Sequence, residues 1–276
     1  MITFTDISIR IIKLTFKERF KLARLAQRSK VFRRIVHKLF FEGDDIQVLP
    51  RNETINLNVK LDPPKTSILP SQVLKEMISK SRYIFKMNFC ICRVSSNCKE
   101  YPHELGCIFL GKGANRITGK VGRLISKDEA IRHIEECEKA GLVHIIGRNK
   151  IDTVWLNTGP KEELLSICNC CPCCCLWKMI PDLPDELAKS MTPMSGVKVE
   201  FIQENCIGCG NCLEKCFVKA IKIKNGKAQI DNRLCRCCGR CSRECENNAI
   251  KILMDHDAVK RAIERLEPLV DVKAEM

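Results

Sequence analysis

The chain has 276 residues, 45% of them hydrophobic, and a formal net charge of +14. This length allows one large domain or two to three small ones. Twenty cysteines in a chain rich in lysine and glutamate do not suit a secreted disulfide scaffold, and no stretch approaches the run of about 20 apolar residues that spans a bilayer. The start of the chain shows no secretory signal pattern. We therefore expect a cytoplasmic protein whose cysteines bind metal.

Residues 1–45 predict a basic, helical N-terminal arm. Basic and apolar residues interleave from Ile9 to Phe41 at a period near 3.6, and Ser29 marks a break between two helices. Three interpretations stay open: an amphipathic helical pair packed on the body of the protein, a docking surface for an acidic partner or subunit, and a peripheral contact with a membrane surface.

Residues 46–183 predict a cysteine-rich α+β middle domain. An extended stretch that includes Pro63 and Pro64 precedes a helix predicted from Ser71 to Ser81. Four cysteines then follow in the spacing C-x-C-x5-C-x8-C, namely Cys90, Cys92, Cys98 and Cys107. Four thiols this close in sequence can surround one metal centre. We expect a third metal site here, either an iron–sulfur cluster or zinc, with free thiols as the remaining alternative.

A helix followed by two strands is predicted between residues 126 and 156. Ser126 and Glu129 form a capping box at the start of the helix, and strands are expected from Leu142 to Ile146 and from Ile151 to Leu156. Helix, strand, turn and strand in this order resemble a winged-helix module. Such a module can bind DNA, which leaves a redox-sensing DNA-binding regulator as an alternative, but the shape is more often only a scaffold and nucleic acid is not the partner that we expect.

The densest cysteine run lies near the end of the middle domain. Six of eight residues there are cysteines: Cys168, Cys170, Cys171, Cys173, Cys174 and Cys175. Free thiols at this density would oxidise readily, so metal is the default interpretation. Adjacent cysteines point to different sides, and the run can serve one centre, bridge two, or complete the site begun at Cys90. An incomplete ligand set would leave an iron open to substrate, which makes a reductase the main alternative function.

Residues 184–196 predict a linker, because prolines and a glycine punctuate them, and 197–254 form the next domain. That domain carries the spacing C-x2-C-x2-C-x3-C twice at an offset of 29 residues, first in Cys206, Cys209, Cys212 and Cys216 and then in Cys235, Cys238, Cys241 and Cys245. Zinc is poorly suited to three equally spaced cysteines per run. The segments 220–223 and 249–252 repeat at the same offset and predict two βαβ halves. Residues 255–276 predict a final helix and tail.

The double run resembles the ligand pattern of bacterial ferredoxins with two [4Fe–4S] clusters, where the fourth cysteine of each run binds the other cluster. The resemblance implies one cluster on Cys206, Cys209, Cys212 and Cys245 (cluster I) and another on Cys235, Cys238, Cys241 and Cys216 (cluster II). The chain departs from the family pattern after the fourth cysteine of each run, where Phe217 and Glu246 stand in place of proline. Cys237 has no assigned role.

The combination of C-x-C-x5-C, the segment 141–144, the run at 168–175 and a trailing ferredoxin is similar to a family of 4Fe–4S binding proteins of anaerobic bacteria and archaea. The resemblance covers residues from about 50 to 254 and implies redox work in anaerobic metabolism. We therefore expect an electron-transfer protein, more a carrier or an oxidoreductase component than a stand-alone enzyme. It would pass single electrons through [4Fe–4S] clusters to or from a redox protein or enzyme subunit. Two clusters are expected in the C-terminal domain, and one or two further iron–sulfur clusters or zinc in the middle domain.

Overall fold

The computed structural model describes residues 3–57 and 69–269 of the chain. It contains both helices and sheets, which agrees with the predicted α+β class. The extended stretch around Pro63 and Pro64 and the tail after residue 269 lie outside the described residues. The helices are α1 (Phe4–Thr15), α2 (Arg19–Arg28), α3 (Lys30–Val36), α4 (Ser71–Lys80), α5 (Ile91–Ser95), α6 (Lys127–Lys139), α7 (Lys150–Leu156), α8 (Asp185–Ala188), α9 (Asn211–Lys215), α10 (Arg240–Arg243) and α11 (Ala258–Leu266).

The strands of the described residues form three sheets. They are β1 (Asp45–Val48), β2 (Ile55–Leu57), β3 (Ile84–Met87), β4 (Ile108–Leu110), β5 (Gly122–Leu124), β6 (Val143–Arg148), β7 (Leu165–Cys170), β8 (Met191–Pro193), β9 (Val197–Phe201), β10 (Ile221–Lys224), β11 (Lys227–Ile230) and β12 (Ile250–Met254). The largest sheet has seven strands in the order β5-β3-β4-β7-β6-β1-β8. All its neighbouring strands are antiparallel except β1 and β8.

Both faces of the seven-stranded sheet are covered by other elements. Successive residues of a strand point to opposite sides of the sheet, so neighbouring residues of β6 pack in different cores. Ile146 of β6 packs in one core with Leu74 of α4 and Ile134 of α6. Its neighbour Ile145 packs in a different core with Ala23 of α2. The arm and the helices α4 and α6 therefore cover opposite faces of the sheet.

The C-terminal domain shares strands with the middle domain. The segment 184–196, which we expected to be a linker, contains α8 and β8, and β8 pairs with β1 at the edge of the large sheet. In return, β2 from the middle region pairs in parallel with β12, which also pairs with β9. The segment 184–196 thus adds one short strand to the large sheet, and the middle region adds one short strand to the sheet of β9 and β12.

The predicted winged-helix segment is not formed, and the strand predicted from Ile151 to Leu156 is wrong. These residues lie in α7, where the side chain of Asn149 accepts a hydrogen bond from the N–H of Ile151 at 3.2 Å and caps the helix. The partners of β6 are β1 and β7. A short apolar run fits a strand and a buried helix equally well, and the cap decides for the helix. The DNA-binding alternative loses the shape on which it rested.

The N-terminal arm is helical as predicted, and Ser29 separates two of its helices. The Ser29 hydroxyl accepts a hydrogen bond from the N–H of Phe32 at 3.3 Å and so caps α3. One face of the arm is buried on the body through Phe16 and Ala26. The other face leaves apolar side chains in solvent, among them Leu14, which is 84% exposed. None of the described helices is long and apolar enough to cross a bilayer.

Two further predicted helices are present with their expected starts or faces. Ser126 caps α6 by accepting a hydrogen bond from the N–H of Glu129 at 3.2 Å. The final helix, α11, buries one apolar face against the core that contains α4. It begins after Asp257, and Asp255 forms an ion pair with Arg261.

Candidate metal centres

The first cysteine pocket of the C-terminal domain draws on both sequence runs. It is lined by the four residues that the ferredoxin resemblance groups as cluster I, namely Cys206, Cys209, Cys212 and Cys245. The first three lie on the loop before α9 and on its first turn, whereas Cys245 follows α10. The fourth cysteine of the second run thus comes to the pocket of the first.

The second pocket shows the reciprocal arrangement. Its lining includes the four residues grouped as cluster II, namely Cys216, Cys235, Cys238 and Cys241. Cys216 follows α9 and comes from the first run, while the other three surround the start of α10. Cys237 also lines this pocket. Each of the two pockets is thus lined by three cysteines of one run and the fourth cysteine of the other.

The 29-residue repeat extends to hydrogen bonds on the cysteine sulfurs. The N–H of Ala220 donates to Sγ of Cys216 at 3.2 Å, and the N–H of Ala249 donates to Sγ of Cys245 at 3.3 Å. Backbone donors aimed at sulfur favour the thiolate over the thiol and tune a bound metal centre. The same backbone contact thus recurs on both fourth cysteines, and at Cys216 it opposes the burial that raises the pKa to about 11.

Cys237 occupies the position at which the first half of the repeat has Gly208. Both residues have positive φ, +70° at Gly208 and +48° at Cys237. A Cβ at Gly208 would lie 2.2 Å from the carbonyl oxygen of Gly226, so only glycine fits there. At Cys237 the side chain is accommodated, and its N–H donates to Sγ of Cys235 at 3.4 Å. The second half of the repeat therefore has room for a side chain at the position where the first half requires glycine.

Four cysteines of the middle domain form a tight group that we call the cysteine quartet: Cys98, Cys171, Cys173 and Cys174. Their four Sγ atoms all lie within 4.8 Å of one another. Sγ of Cys173 is 3.5 Å from that of Cys98, 3.5 Å from that of Cys171 and 3.6 Å from that of Cys174. The quartet joins a turn after β7 to a loop more than seventy residues earlier.

The remaining cysteines of the two middle-domain motifs form a second group, which we call the cavity cysteines: Cys90, Cys92, Cys107, Cys168, Cys170 and Cys175. Sγ of Cys175 lies 3.2 Å from that of Cys170. A hydrogen bond from Cys92 lowers the pKa of Cys90 to about 7, and hydrogen bonds from Cys168 and then Cys175 hold the pKa of Cys170 well below its ordinary value. The same contacts and burial raise the pKa values of Cys92, Cys168 and Cys175, so each close pair combines one thiol that favours the thiolate with one that favours the thiol.

The structure thus divides both cysteine motifs of the middle domain. Cys98 lies apart from Cys90, Cys92 and Cys107, the residues with which the sequence spacing grouped it, and joins the quartet instead. The dense run splits into three cysteines for each group. Cys168 and Cys170 belong together because residues two apart on β7 face the same side of the strand.

A buried arginine lies between the two cysteine groups of the middle domain. Arg93 is fully buried, and its guanidinium donates hydrogen bonds to the carbonyl oxygens of Asn169, at 2.9 Å, and Leu105. Among the described residues no carboxylate pairs with it. Burial acts to lower the pKa of Arg93. The charges of nearby cysteines, led by Cys90 and Cys171, outweigh burial and raise this pKa. A buried guanidinium needs anionic neighbours, so the charge balance favours thiolates on both sides of Arg93.

A second buried arginine connects the cavity cysteines to the second pocket of the C-terminal domain. Arg240 on α10 donates a hydrogen bond to the carbonyl oxygen of Cys170, and its guanidinium lies 5.6 Å from the ring centroid of Phe217. Its charge acts to lower the pKa of both Cys170 and Cys238. Cysteines of both groups also pack against one hydrophobic core, namely Cys168, Cys170, Cys175, Cys216, Cys235 and Cys238.

The cavity cysteines form one wall of a large cavity under the N-terminal arm, and Cys171 of the quartet also lines it. Its volume is about 340 Å³, and helices α1 and α2 of the arm cover it. Its lining is mainly apolar and includes Phe16, Phe89 and Trp155. The guanidinium of Arg19 also lines it and stacks on Phe16 with a distance of 3.9 Å to the ring centroid. The two cysteine pockets of the C-terminal domain are much smaller, with volumes of about 20 Å³ each.

The first pocket of the C-terminal domain is the one closer to solvent. Cys209 is exposed, and Ile207 beside it is 69% exposed. In the second pocket none of the four grouped cysteines is exposed. Leu213 and Ile223 add partly exposed apolar surface near the first pocket. A partner protein would therefore meet the first pocket before the second.

Comparison with known proteins supports the C-terminal assignment. A family profile described as a 4Fe-4S binding domain matches residues 199–222, a segment that contains the first cysteine run. No curated protein and no solved structure matches the chain. The chain therefore carries a 4Fe–4S binding domain, which supports an iron–sulfur electron-transfer role.

Proposed function

We propose that this chain is an electron-transfer protein with two [4Fe–4S] clusters in its C-terminal domain, arranged as in bacterial two-cluster ferredoxins. It would exchange single electrons with a redox protein or enzyme subunit in anaerobic metabolism. So many thiols in one chain suit a reducing cytoplasm. One observation carries the proposal: two pockets, each lined by three cysteines of one run and the fourth cysteine of the other.

The donor set fits such clusters. Four thiolates per cluster are the ligands that [4Fe–4S] clusters require, and bound clusters supply one-electron redox chemistry. The chain contributes the N–H groups of Ala220 and Ala249, which donate to the fourth cysteines. Phe217 and Val218 are 3% and 2% exposed and exclude water next to Cys216. Burial and hydrogen bonding of this kind set the potential of a cluster.

The two pockets would have different tasks. The exposure of Ile207 and Cys209 makes the first pocket the place of exchange with an outside partner. The second pocket shares a hydrophobic core with the cavity cysteines, and Arg240 bridges the two groups. This placement suits further transfer to a metal centre in the middle domain.

A matched pair of serine variants tests the ligand assignment. Cys209→Ser removes a proposed ligand, and we expect about four iron and four sulfide fewer per chain than in the wild type, both measured on protein purified without oxygen. Cys237→Ser changes a buried thiol in the same domain, and we expect the full iron content. Loss of iron in the Cys237 variant with retention in the Cys209 variant would refute the assignment.

The cavity favours a second candidate function, a reductase whose substrate meets metal at the cavity cysteines. The cavity of about 340 Å³ has the size and the apolar lining of small-molecule sites. Its volume far exceeds the volumes of the two pockets proposed for clusters, so room remains for another molecule beside a metal centre.

Two tryptophan variants on helix α1 separate this candidate from a simple carrier. Ile12 lines the cavity, whereas Ile7 on the same helix is 49% exposed and does not line it. If the cavity admits a reducible apolar molecule, Ile12→Trp should slow reduction of menadione, a small apolar quinone, at least tenfold. Ile7→Trp should leave that rate unchanged, and electron transfer to a protein acceptor should be unaffected in both variants. Equal menadione rates in the two variants would remove the reductase candidate.

A further inference from the structure

The six-cysteine run has the geometry of two different sites, and one of them has the dimensions of a single ion. We propose that Cys98, Cys171, Cys173 and Cys174 bind one tetrahedral divalent ion, Zn²⁺ or Fe²⁺, without sulfide. This site is distinct from the [4Fe–4S] pockets and borders the cavity through Cys171, which also lines it. It does not depend on any electron-transfer role.

The sulfur separations support a single ion. Metal–sulfur bonds of about 2.3 Å in a tetrahedron place the sulfurs about 3.8 Å apart. Three pairs of the quartet measure 3.5, 3.5 and 3.6 Å, and all pairs lie within 4.8 Å. A cubane binds each thiolate to a different iron and holds the four sulfurs further apart than one ion does. Among the described residues, no other group of three or more cysteines brings its sulfur atoms this close together.

The local backbone is shaped for metal binding. Cys171 and Cys174 enclose a tight turn at Pro172, and the N–H of Cys174 donates to Sγ of Cys171 at 3.3 Å. Cys98 comes from the loop after α5, where its N–H donates to the carbonyl oxygen of Arg93 at 2.9 Å. Short Cys-x2-Cys turns of this type carry thiolate pairs in structural metal sites.

The donor set indicates a structural ion, because the protein supplies all four ligands. Cys98, Cys171 and Cys174 are 8%, 1% and 5% exposed, and Cys173 is half-buried. Catalytic ions keep a position for water or substrate, whereas structural ions are fully ligated by protein. A fifth nearby cysteine, Cys137, is fully buried and lies against His133 instead, with Sγ 3.7 Å from Nε2.

The ion would also hold one wall of the cavity. Cys170 and Cys175 flank the quartet turn directly, and their Sγ atoms lie 3.2 Å apart. Fixing Cys171, Cys173 and Cys174 on an ion therefore brings these two flanking cysteines together. The dependence runs one way: loss of the ion releases the flanking pair, but loss of Cys175 leaves all four quartet ligands in place.

The matched variants Cys173→Ser and Cys175→Ser test the proposal in the full chain purified without oxygen. In [4Fe–4S] clusters iron equals sulfide, so single ions are counted as zinc plus the excess of iron over sulfide. We expect Cys173→Ser to lower this count by about one per chain and Cys175→Ser to leave the quartet ion in place. Zinc identifies Zn²⁺ as the ion, and an iron excess identifies Fe²⁺.

X-ray absorption of the wild type supplies a second measurement should the Cys173 variant fail to fold. At the edge of the metal found in excess, we expect a component with four sulfurs at about 2.3 Å and no metal neighbour. A drop of about four sulfide in Cys173→Ser would overturn the proposal by showing a cluster at the quartet. A wild type without any single ion would overturn it as well.

Discussion

The variant Arg93→Met should destabilise the fold if the cysteines of the middle domain are bound thiolates, and should stabilise it if they are free thiols. Arg93 is fully buried among cysteines and donates two hydrogen bonds to carbonyl oxygens. If the neighbouring cysteines are metal-bound thiolates, Arg93→Met removes the cation that balances them. If they are neutral thiols, the same change removes an uncompensated buried charge and should stabilise the fold. The two states of the cysteines therefore predict opposite shifts.

The size of the loss follows from the contacts of Arg93. Two hydrogen bonds from a charged donor contribute about 1.5–3 kcal/mol each, and removing one partner of a buried charge pair costs about 3–5 kcal/mol. Taking about 3–5 kcal/mol, the unfolding midpoint of the metal-loaded protein should fall by roughly 6–20 °C.

Thermal unfolding under anoxic conditions, followed by far-UV circular dichroism, measures this shift. Arg233→Met is the control, because the Arg233 side chain is 89% exposed and its pair with Asp231 is on the surface. The control should stay within about 0.5 kcal/mol of the wild type. An Arg93→Met protein that unfolds at the same or a higher temperature than the wild type would refute the thiolate interpretation.

Three further predictions concern the first pocket and the stability of the fold. Gly208→Ala places a Cβ 2.2 Å from a backbone oxygen, and this variant should lose about four iron per chain. In the control Gly210→Ala the added Cβ lies 3.8 Å from its nearest neighbour, so this variant should keep full iron and lose about 1–2 kcal/mol of stability. Equal iron contents in the two variants would contradict the packing argument. Ile207→Ser removes exposed apolar surface beside Cys209 and should slow electron exchange with a ferredoxin acceptor about fivefold or more. Its visible spectrum and its reduction by dithionite should be unchanged. An unaltered exchange rate would show that the partner binds another surface. Burial raises the pKa of Asp44 to about 7. The unfolding midpoint of the wild type should therefore fall relative to that of Asp44→Asn as pH rises from 5 towards 7, and the difference between the two midpoints should level off above pH 7. A constant difference between the midpoints across this range would show that Asp44 does not titrate there.

The local parts of the account could be read from the sequence. The two cysteine runs predict their pockets because a loop and a short helix bring three cysteines together without help from the rest of the fold. The resemblance to bacterial two-cluster ferredoxins implies the exchange of fourth cysteines, and Cys216 and Cys245 each line the pocket of the other run. Ser126 and Ser29 mark helix starts for an equally local reason, a side chain that accepts a hydrogen bond from a nearby N–H.

The division of the middle cysteines could not be read from spacing. Cys98 and Cys173 meet across more than seventy residues, so only the fold decides that Cys98 leaves the C-x-C-x5-C-x8-C group. One signal was available in the sequence: Cys168 and Cys170 are two apart on a strand and so share a face. The shared strands β2 and β8 have three residues each, too few for a periodic pattern to predict.

The central claim is that eight cysteines hold two [4Fe–4S] clusters in the C-terminal domain. The most direct measurement compares iron and acid-labile sulfide per chain in the wild type and in the double variant Cys209→Ser/Cys241→Ser, which removes one ligand from each pocket. The account predicts at least about eight sulfide per chain in the wild type and a loss of about eight in the double variant. A wild type with fewer than eight sulfide, or a double variant that loses only about four, would contradict it.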